Sequence, residues 1–570
     1  MSAATPLSRT QPLGELLVAR GIIGPDQLEI ALTEQQRNGQ MLGKLLVQLG
    51  FITENTLRDV LGESFAEQSI DLAHTITDAA ALALVPKALA QRLKVYPVAW
   101  EAEQSTLVLA MADPTDIVAL DQVRGRIGAS RKVRPVLAGE TEVLNAIQQT
   151  YGFELSIDGI LREIETGNID IKSLQDGVAE YSHPLVRLID ALLVDAVNRG
   201  ASDIHFEPEE FFLRIRYRID GVLRQIRSLH KMYWPGMVVR MKVMSDMNIA
   251  EMRAPQDGHI SLSIGGRVVD FRVAAQPTVH GENFVLRVLD RMKGIVPLPK
   301  LGMNPHNEKL IRLMMARPHG IILITGPTGS GKTTTLYSIL NEVNSEKINI
   351  MTLEDPVEYP MPMIRQSSVN LAAKMDFATG IRSMMRQDPD IILVGEVRDN
   401  DTAEMAFRAA MTGHQVYTTL HTNSAAGAFP RLRDIGVDPE LMAENIIGVV
   451  AQRLVRKLCP HCRRSRRATV AELELLGQPL DRDIELYEPR GCERCDHTGY
   501  KGRVAVMEVL RFTRELDELL ATGATAGALE RAARAVGFRD LVEDGVERVL
   551  SGVTSLAEVS RVLDLTSRVR

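Results

Sequence analysis

The amino-acid sequence predicts an α/β multidomain fold with a parallel-sheet core in its C-terminal half. Three observations point there. From about residue 306 onward, short apolar runs (IILIT, INIMTLE, IILV) alternate with helical patterns, as strands buried on both faces do. Between 181 and 300, a helical run is followed by segments of period two, which read as an α+β domain. The first 64 residues contain an internal repeat of helical period.

Each element follows in chain order. Pro12-Leu-Gly-Glu-Leu-Leu-Val aligns with Met41-Leu-Gly-Lys-Leu-Leu-Val at an offset of 29 residues, and the match continues through Leu28/Leu57 and Leu32/Leu61. Gly21 and Gly50 end one helix of each copy, and Gln27 and Asn55 lie near the start of the next. Two copies are too few for a solenoid, so 1–70 is expected to be a small helical domain. Residues 71–150 mix strand-like runs (LKVYPVAW, TLVLAM) with helical ones and read as a small α/β unit. Residues 151–180 are polar and acidic and read as a linker. In 181–300, PLVRLIDALLVDAVNRG leads into FFLRIRYRID, HISLSIG and RVVDFRVAAQ, ending near the Pro-rich VPLPKLGMNP. The remainder, 301–570, is the parallel-sheet domain with a cysteine-bearing insertion at 455–505 and mostly helical last residues.

Composition narrows the function classes. Hydrophobic content of 45% and charged content of 24% are ordinary for a globular protein. A net charge of −7 and 4% aromatics disfavour a nucleic-acid motor, whose channel needs basic and stacking residues. The opening MSAATPLSRTQPLGELL has no apolar core fit for a signal peptide, and no run approaches the ~18 apolar residues of a membrane span. A cytoplasmic protein is expected. The four cysteines all fall in CxxC pairs, so a disulfide scaffold is not expected.

TGPTGSGKTTTLY (325–337) matches the phosphate-loop pattern through Gly326, Gly331, Lys332 and Thr333. An apolar strand precedes it and a helix follows, so backbone N–H groups of the loop can cradle phosphates. The candidate nucleotide-binding set is Gly326, Thr328, Gly329, Ser330, Gly331, Lys332, Thr333 and Thr334. Lys332 reaches the terminal phosphates, and Thr333 can ligate Mg²⁺. Ligands of an open parallel sheet sit beyond the carboxyl ends of its strands. Three further strands end at Glu354 and Asp355, at Glu396 and at His421. Glu396 is therefore the first candidate to orient or deprotonate the attacking water or to hold Mg²⁺; Glu354 is the second. His421 would sense the γ-phosphate. His414 stands at the other end of its strand, open to a direct or a capping role. For each residue alone, the alternative is a solvated strand-end side chain.

Cys459-Pro-His-Cys462 and Cys492-Glu-Arg-Cys495 give CxxC-x29-CxxC, two knuckles suited to tetrahedral Zn²⁺. Seven basic residues surround the first knuckle (Arg453, Arg456, Lys457, Arg463, Arg464, Arg466, Arg467). They form either a face for anionic lipid or a membrane partner, or a solvated surface with carboxylate neighbours.

TGPTGSGKTTTLY, TLEDPVEY, RQDPDIILVGEVRD and AAMTGHQVYTTLHTN resemble, in order, the phosphate loop, aspartate box, Walker B segment and histidine box of the ATPases that drive type II secretion and type IV pilus assembly. ASDIHFEP, RIRYRIDGVL and RAPQDG resemble the preceding domain of the same family, though His259 stands where members commonly carry arginine. The resemblance spans about 181–565. It implies a RecA-like core, a PAS-like α+β domain before it, ATP hydrolysis with Mg²⁺, and a cytoplasmic homohexamer. The implied partners are an inner-membrane platform protein and a cytoplasmic assembly protein. It also implies that Arg218, and after it Arg216, reaches the nucleotide of the hexamer's catalytic site; both share a strand face with Arg214. The tetracysteine element resembles that of the assembly-direction members. The N-terminal copies, 24 residues each with a spacer at Gln36–Gln40, resemble a cyclic di-GMP-binding motif through Leu13, Gly14, Gln35, Leu42 and Gly43. They depart from it at Pro12, Met41 and Ser64. A helical docking module with the same apolar pattern filling its core is the alternative.

Overall fold

The computed structural model describes residues 13–38, 41–53, 56–57, 60, 69–128, 130–151, 156–166, 183–264, 267–290 and 295–566. The chain forms two compact units, Met1–Met292 and Lys293–Arg570.

In the first unit, helices Leu13–Ala19, Pro25–Asn38 and Leu42–Gln48 carry the repeat. Leu16, Leu17, Ile23, Ala31, Leu46, Ile52 and Val60 make its core, with Leu13, Leu28, Leu42 and Leu57 packed against it. A methyl group on Gly14 would lie 2.4 Å from Leu28 Cδ1, and one on Gly43 would lie 3.0 Å from Leu57. Glycine at both positions lets the helices approach closely. Pro12, Asn55, Leu61 and Ser64 lie outside the described residues.

The segment after it holds a three-stranded sheet, Val95–Glu101, Thr106–Met111 and Lys132–Leu137, under helices Ile117–Ile127 and Glu140–Thr150. The reading of 151–180 as a linker needs correction. Ile157–Thr166 is a helix whose Ile160 and Ile164 are buried against the following helix, Pro184–Asn198. Ile157, Ile160, Leu161 and Ile164 recur at helical spacing, but the stripe is short and its neighbours are polar. Residues 167–180 lie outside the described set. Next comes a seven-stranded sheet, in the order Thr75–Ile76, Gln256–Ile264, Arg267–Thr278, Gly281–Asp290, Ala201–Pro208, Phe212–Ile219 and Val222–His230. Four of these strands were not read from sequence: Thr75–Ile76, Ala201–Pro208, Val222–His230 and Gly281–Asp290.

The second unit is built on seven strands in the order Arg365–Ser368, Ile350–Glu354, Ile391–Val394, Gln415–Leu420, Gly320–Thr325, Ile446–Leu458 and Tyr500–Arg511. All neighbours run parallel except the last pair. The central strands are buried throughout, so each Ile, Leu or Val contributes about 1.5–3 kcal/mol. Register sets the site: Thr325 pairs with Leu420, and Leu353 with Val394. The carboxyl ends of four strands therefore lie side by side. Helices Arg514–Ala521, Ala526–Ala535, Leu541–Leu550 and Leu556–Val562 close the chain.

Candidate active site

The phosphate loop joins Gly320–Thr325 to the helix Lys332–Val343. Gly326, Gly329 and Gly331 have φ of +145°, +79° and +89°, a region side chains rarely adopt. A methyl group on Gly326 would lie 2.6 Å from the carbonyl oxygen of Gln452. Lys332 Nζ donates to the Gly326 carbonyl at 2.8 Å, and burial pushes its ammonium below the usual lysine range against the pull of Glu396. Ser330 is buried and its hydroxyl has no partner among the described residues, as suits a donor waiting for an anion. Thr328, Gly329 and Thr333 are exposed at the loop and helix start, and Thr334 is half-buried behind them. The loop fits a nucleoside triphosphate, with Thr333 placed for its Mg²⁺.

Two of the strand-end residues meet. Glu396 lies 3.5 Å from His421 Nε2 and pairs with Arg398, whose guanidinium also reaches Asp355 at 3.5 Å. Glu354 is held differently. It is 5% exposed and accepts from Tyr337 OH at 2.5 Å, Thr352 Oγ1 at 2.6 Å and Gln366 Nε2 at 3.3 Å. Burial raises its pKa above the ordinary carboxylate value while these donors pull the other way. Glu396 is thus the carboxylate presented at the open edge, and Glu354 is locked behind it.

His414 does not join them. It immediately precedes the strand Gln415–Leu420, next to Gly320, with Nδ1 at 2.8 Å from the Ala409 carbonyl and 3.1 Å from Thr412 Oγ1. Those contacts close the end of the helix Asn400–Met411, so its role here is capping. Arg214, Arg216 and Arg218, in the other unit, pair with carboxylates: Glu209 at 2.8 Å, Glu207 at 2.5 Å and Asp203 at 3.5 Å. The like charges on that strand face are neutralised from the neighbouring strand and hairpin. Sequence reasoning missed Tyr337, Arg398, Gln452 and Arg453. For Gln452-Arg453 a signal existed: two polar residues inside the apolar IIGVVAQRLV.

The four cysteine sulfurs all lie within 4.8 Å of one another, with Cys492–Cys495 at 3.7 Å, Cys462–Cys495 at 3.8 Å and Cys459–Cys492 at 4.0 Å. A Zn–S bond of ~2.3 Å gives a tetrahedral edge of about 3.8 Å, so Cys459, Cys462, Cys492 and Cys495 fit zinc. His461 instead contacts Arg494 at 2.9 Å and is exposed. The basic cluster is dispersed. Arg453 is buried, Arg456 binds Glu558, Arg466 binds Glu472 and Glu488, and Arg467 binds Asp483. Among the described residues no helix is long and apolar enough to cross a membrane.

Comparison with known proteins now bears on this arrangement. The family model described as type II/IV secretion system protein matches residues 178–561, and the MshEN domain model matches 48–157. The chain is 39% identical to the type IV pilus assembly ATPase PilB of Myxococcus xanthus over 96% of this chain and 98% of that one. It is 48% identical to the type II secretion system protein E of Aeromonas hydrophila over 67% of this chain and 76% of that one. The X-ray structure of the ATPase DotB of Legionella pneumophila covers 66% of this chain and 94% of its own, with a TM-score of 0.50 and 23% identity, and shares the fold. A nucleic-acid motor gains no support from these relatives. The chain belongs to the type II/IV secretion system protein family and is an ATP hydrolase within it.

Proposed function

We propose that the protein is the motor of type IV pilus or type II pseudopilus assembly, working as a homohexamer on an inner-membrane platform protein. The observation that carries this reading is the meeting of Glu396 and His421 beside the phosphate loop, in one unit with a zinc-fitted tetracysteine element. Match along nearly the full length of a pilus assembly ATPase supports it. Lys332, the loop amides and Ser330 grip the phosphates, and Thr333 with Glu396 would hold Mg²⁺, which would supply charge neutralisation at the phosphates. Glu396 orients and deprotonates the attacking water, while His421 contacts the γ-phosphate. Arg218 and Arg216 reach the nucleotide within the assembled hexamer by exchanging their carboxylates for phosphate. The motor is cytoplasmic and held at the inner membrane through the platform and a cytoplasmic assembly protein.

Glu396→Gln tests this directly. It keeps the shape at the sheet edge and removes the base, so ATP binding should persist while hydrolysis falls at least ~100-fold. Lys332→Ala should instead weaken binding. Near-normal turnover in Glu396→Gln would refute the role given to that residue. In the source bacterium, the same substitution should abolish surface pili or secretion.

A second reading concerns the N-terminal repeat, which we propose binds cyclic di-GMP. The MshEN match and the closely approached Leu13–Gly14 and Leu42–Gly43 positions support it. Calorimetry of the full chain with cyclic di-GMP should give a saturable heat. None up to high micromolar ligand would leave the repeat as a docking module.

A further inference from the structure

We propose that the strand Ile446–Leu458 positions both reacting loops of the ATPase, through Gln452 for the phosphate loop and Arg453 for the loop that carries His421.

Gln452 is fully buried. Its Nε2 donates to the Ser330 carbonyl at 2.7 Å, and its Oε1 accepts from Thr335 Oγ1 at 2.9 Å. Its own carbonyl fills the space that a side chain on Gly326 would need, and its amide nitrogen lies 3.2 Å from where a methyl group on Gly331 would sit. One residue therefore touches the start of the loop through its backbone carbonyl, and the turn and helical exit through its side chain. Removing its donor leaves the Ser330 carbonyl buried without this partner, and the loop's amides lose the fixed direction that phosphate binding needs.

Arg453, the next residue, faces the other side of the strand. It is 9% exposed, and among the described residues no carboxylate lies within ion-pair distance of it. Its Nη2 donates to the backbone carbonyl and the side-chain oxygen of Asn423, both at 3.1 Å, and its Nη1 donates to the Gln452 carbonyl at 3.0 Å. Asn423 stands two residues after His421. Two residues further on, Ala425 N–H donates at 2.5 Å to buried Glu508, on the antiparallel neighbour Tyr500–Arg511. The histidine loop is thus pinned at Asn423 and at Ala425. Arg453 directs Nη2 of a buried guanidinium to that loop, while Nη1 is held by its own strand.

Neither residue reaches the reacting atoms, so both are positioning residues, and because they hold different loops their losses have different kinetic signatures. The Arg453 half rests on the role proposed above for His421. In the full-length protein, Gln452→Glu keeps the side-chain shape and replaces the donor by an acceptor. It should weaken binding of a fluorescent ATP analogue about tenfold, the scale of one buried hydrogen bond. Arg453→Gln should lower kcat about tenfold with affinity within about twofold, and Arg453→Lys should recover part of the loss. His421→Ala is measured alongside. If it leaves kcat intact, the histidine reading fails; if it lowers kcat and Arg453→Gln does not, the positioning role fails. Wild-type affinity in Gln452→Glu, or affinity and kcat falling in equal proportion in both variants, overturns the proposal. Should Gln452→Glu not fold, Thr335→Val removes only the hydroxyl of the same clasp and carries the same expectation.

Discussion

Tyr337→Phe removes the short hydrogen bond to a buried carboxylate, together with the two longer ones that its oxygen accepts from Glu358 N–H at 3.3 Å and Gln366 Nε2 at 3.4 Å. The tyrosine is 1% exposed and its hydroxyl donates to Glu354 Oε2 at 2.5 Å; no other donor to that oxygen is among the described contacts. Phenylalanine keeps the ring and its edge contact with Tyr359, so no cavity opens. What is lost is a donor to a charge, worth about 1.5–3 kcal/mol, against about 1 kcal/mol for a neutral acceptor. Burial holds the Glu354 pKa above its unfolded value of 4.5. Ionised Glu354 therefore costs stability that is absent below that value and appears as pH rises through the folded pKa. Tyr337 reduces the cost only once the carboxylate is charged. The substitution should be mild at pH 4, below the unfolded value, at about 1 kcal/mol, and reach about 2–3 kcal/mol at pH 8. Scanning calorimetry would register the pH 8 loss as a drop of about 5 °C in the transition of the C-terminal unit. An equal drop at both pH values, or one under about 1 °C at pH 8, would show that the hydroxyl does not stabilise the charge.

Two further predictions concern the metal and the capping histidine. Purified protein should carry close to one zinc per chain, lost in Cys462→Ser/Cys495→Ser, with hydrogen exchange rising across residues 459–500 because structural zinc supplies folding free energy there; zinc-free protein with unchanged protection would sink the assignment. His414→Ala should leave ATP turnover within about twofold and cost about 1 kcal/mol in stability, as loss of one helix-end hydrogen bond does; a tenfold fall in kcat would restore the catalytic role that its contacts deny.

What was legible in the sequence followed from short-range physics. Strands buried on both faces read as unbroken apolar runs, so IILIT, IMTLE and IILV announced the parallel sheet, and residues just beyond such runs announced the site. The cysteine spacing pointed to the four sulfurs that the fold brings together, because four thiolates in two knuckles have few other uses. What stayed hidden depends on partners distant in the chain. Gln452 meets residues more than a hundred positions away, and Tyr337 meets Glu354 across seventeen. The polar pair in IIGVVAQRLV marks Gln452 as unusual, and Tyr337 closes the phosphate-loop stretch, but nothing local names the partner of either. The helix Ile157–Thr166 was hidden for another reason: its stripe spans three turns and is stabilised by the helix it packs on, not by propensity.

The basic residues around the first knuckle show how packing decides between two readings that composition leaves equal. Anionic lipid attracts each basic residue near its surface by about 1 kcal/mol, so seven together would make a strong electrostatic anchor. Here Arg453, Arg456, Arg463, Arg466 and Arg467 are held by protein partners, while Lys457 and Arg464 stand exposed. Arg456 lies over the Tyr500 ring at 4.1 Å and binds Glu558 at 2.6 Å, while Arg463 lies over Tyr487 and donates to the Gly552 carbonyl at 2.6 Å. Leu458 N–H donates to the Val553 carbonyl, and Tyr500 OH bonds Ser555 Oγ at 2.7 Å. Apart from the two ring contacts, which lie within the tetracysteine element, these contacts join it to the helix Leu556–Val562 and the turn before it. The strand that touches the phosphate loop at Gln452 runs on to Cys459, seven residues or about 23 Å away at ~3.3 Å each. Arg456 and Arg463 therefore tie the far end of that strand to the helix Leu556–Val562 and the turn before it, and that use of two of the seven charges is a structural one.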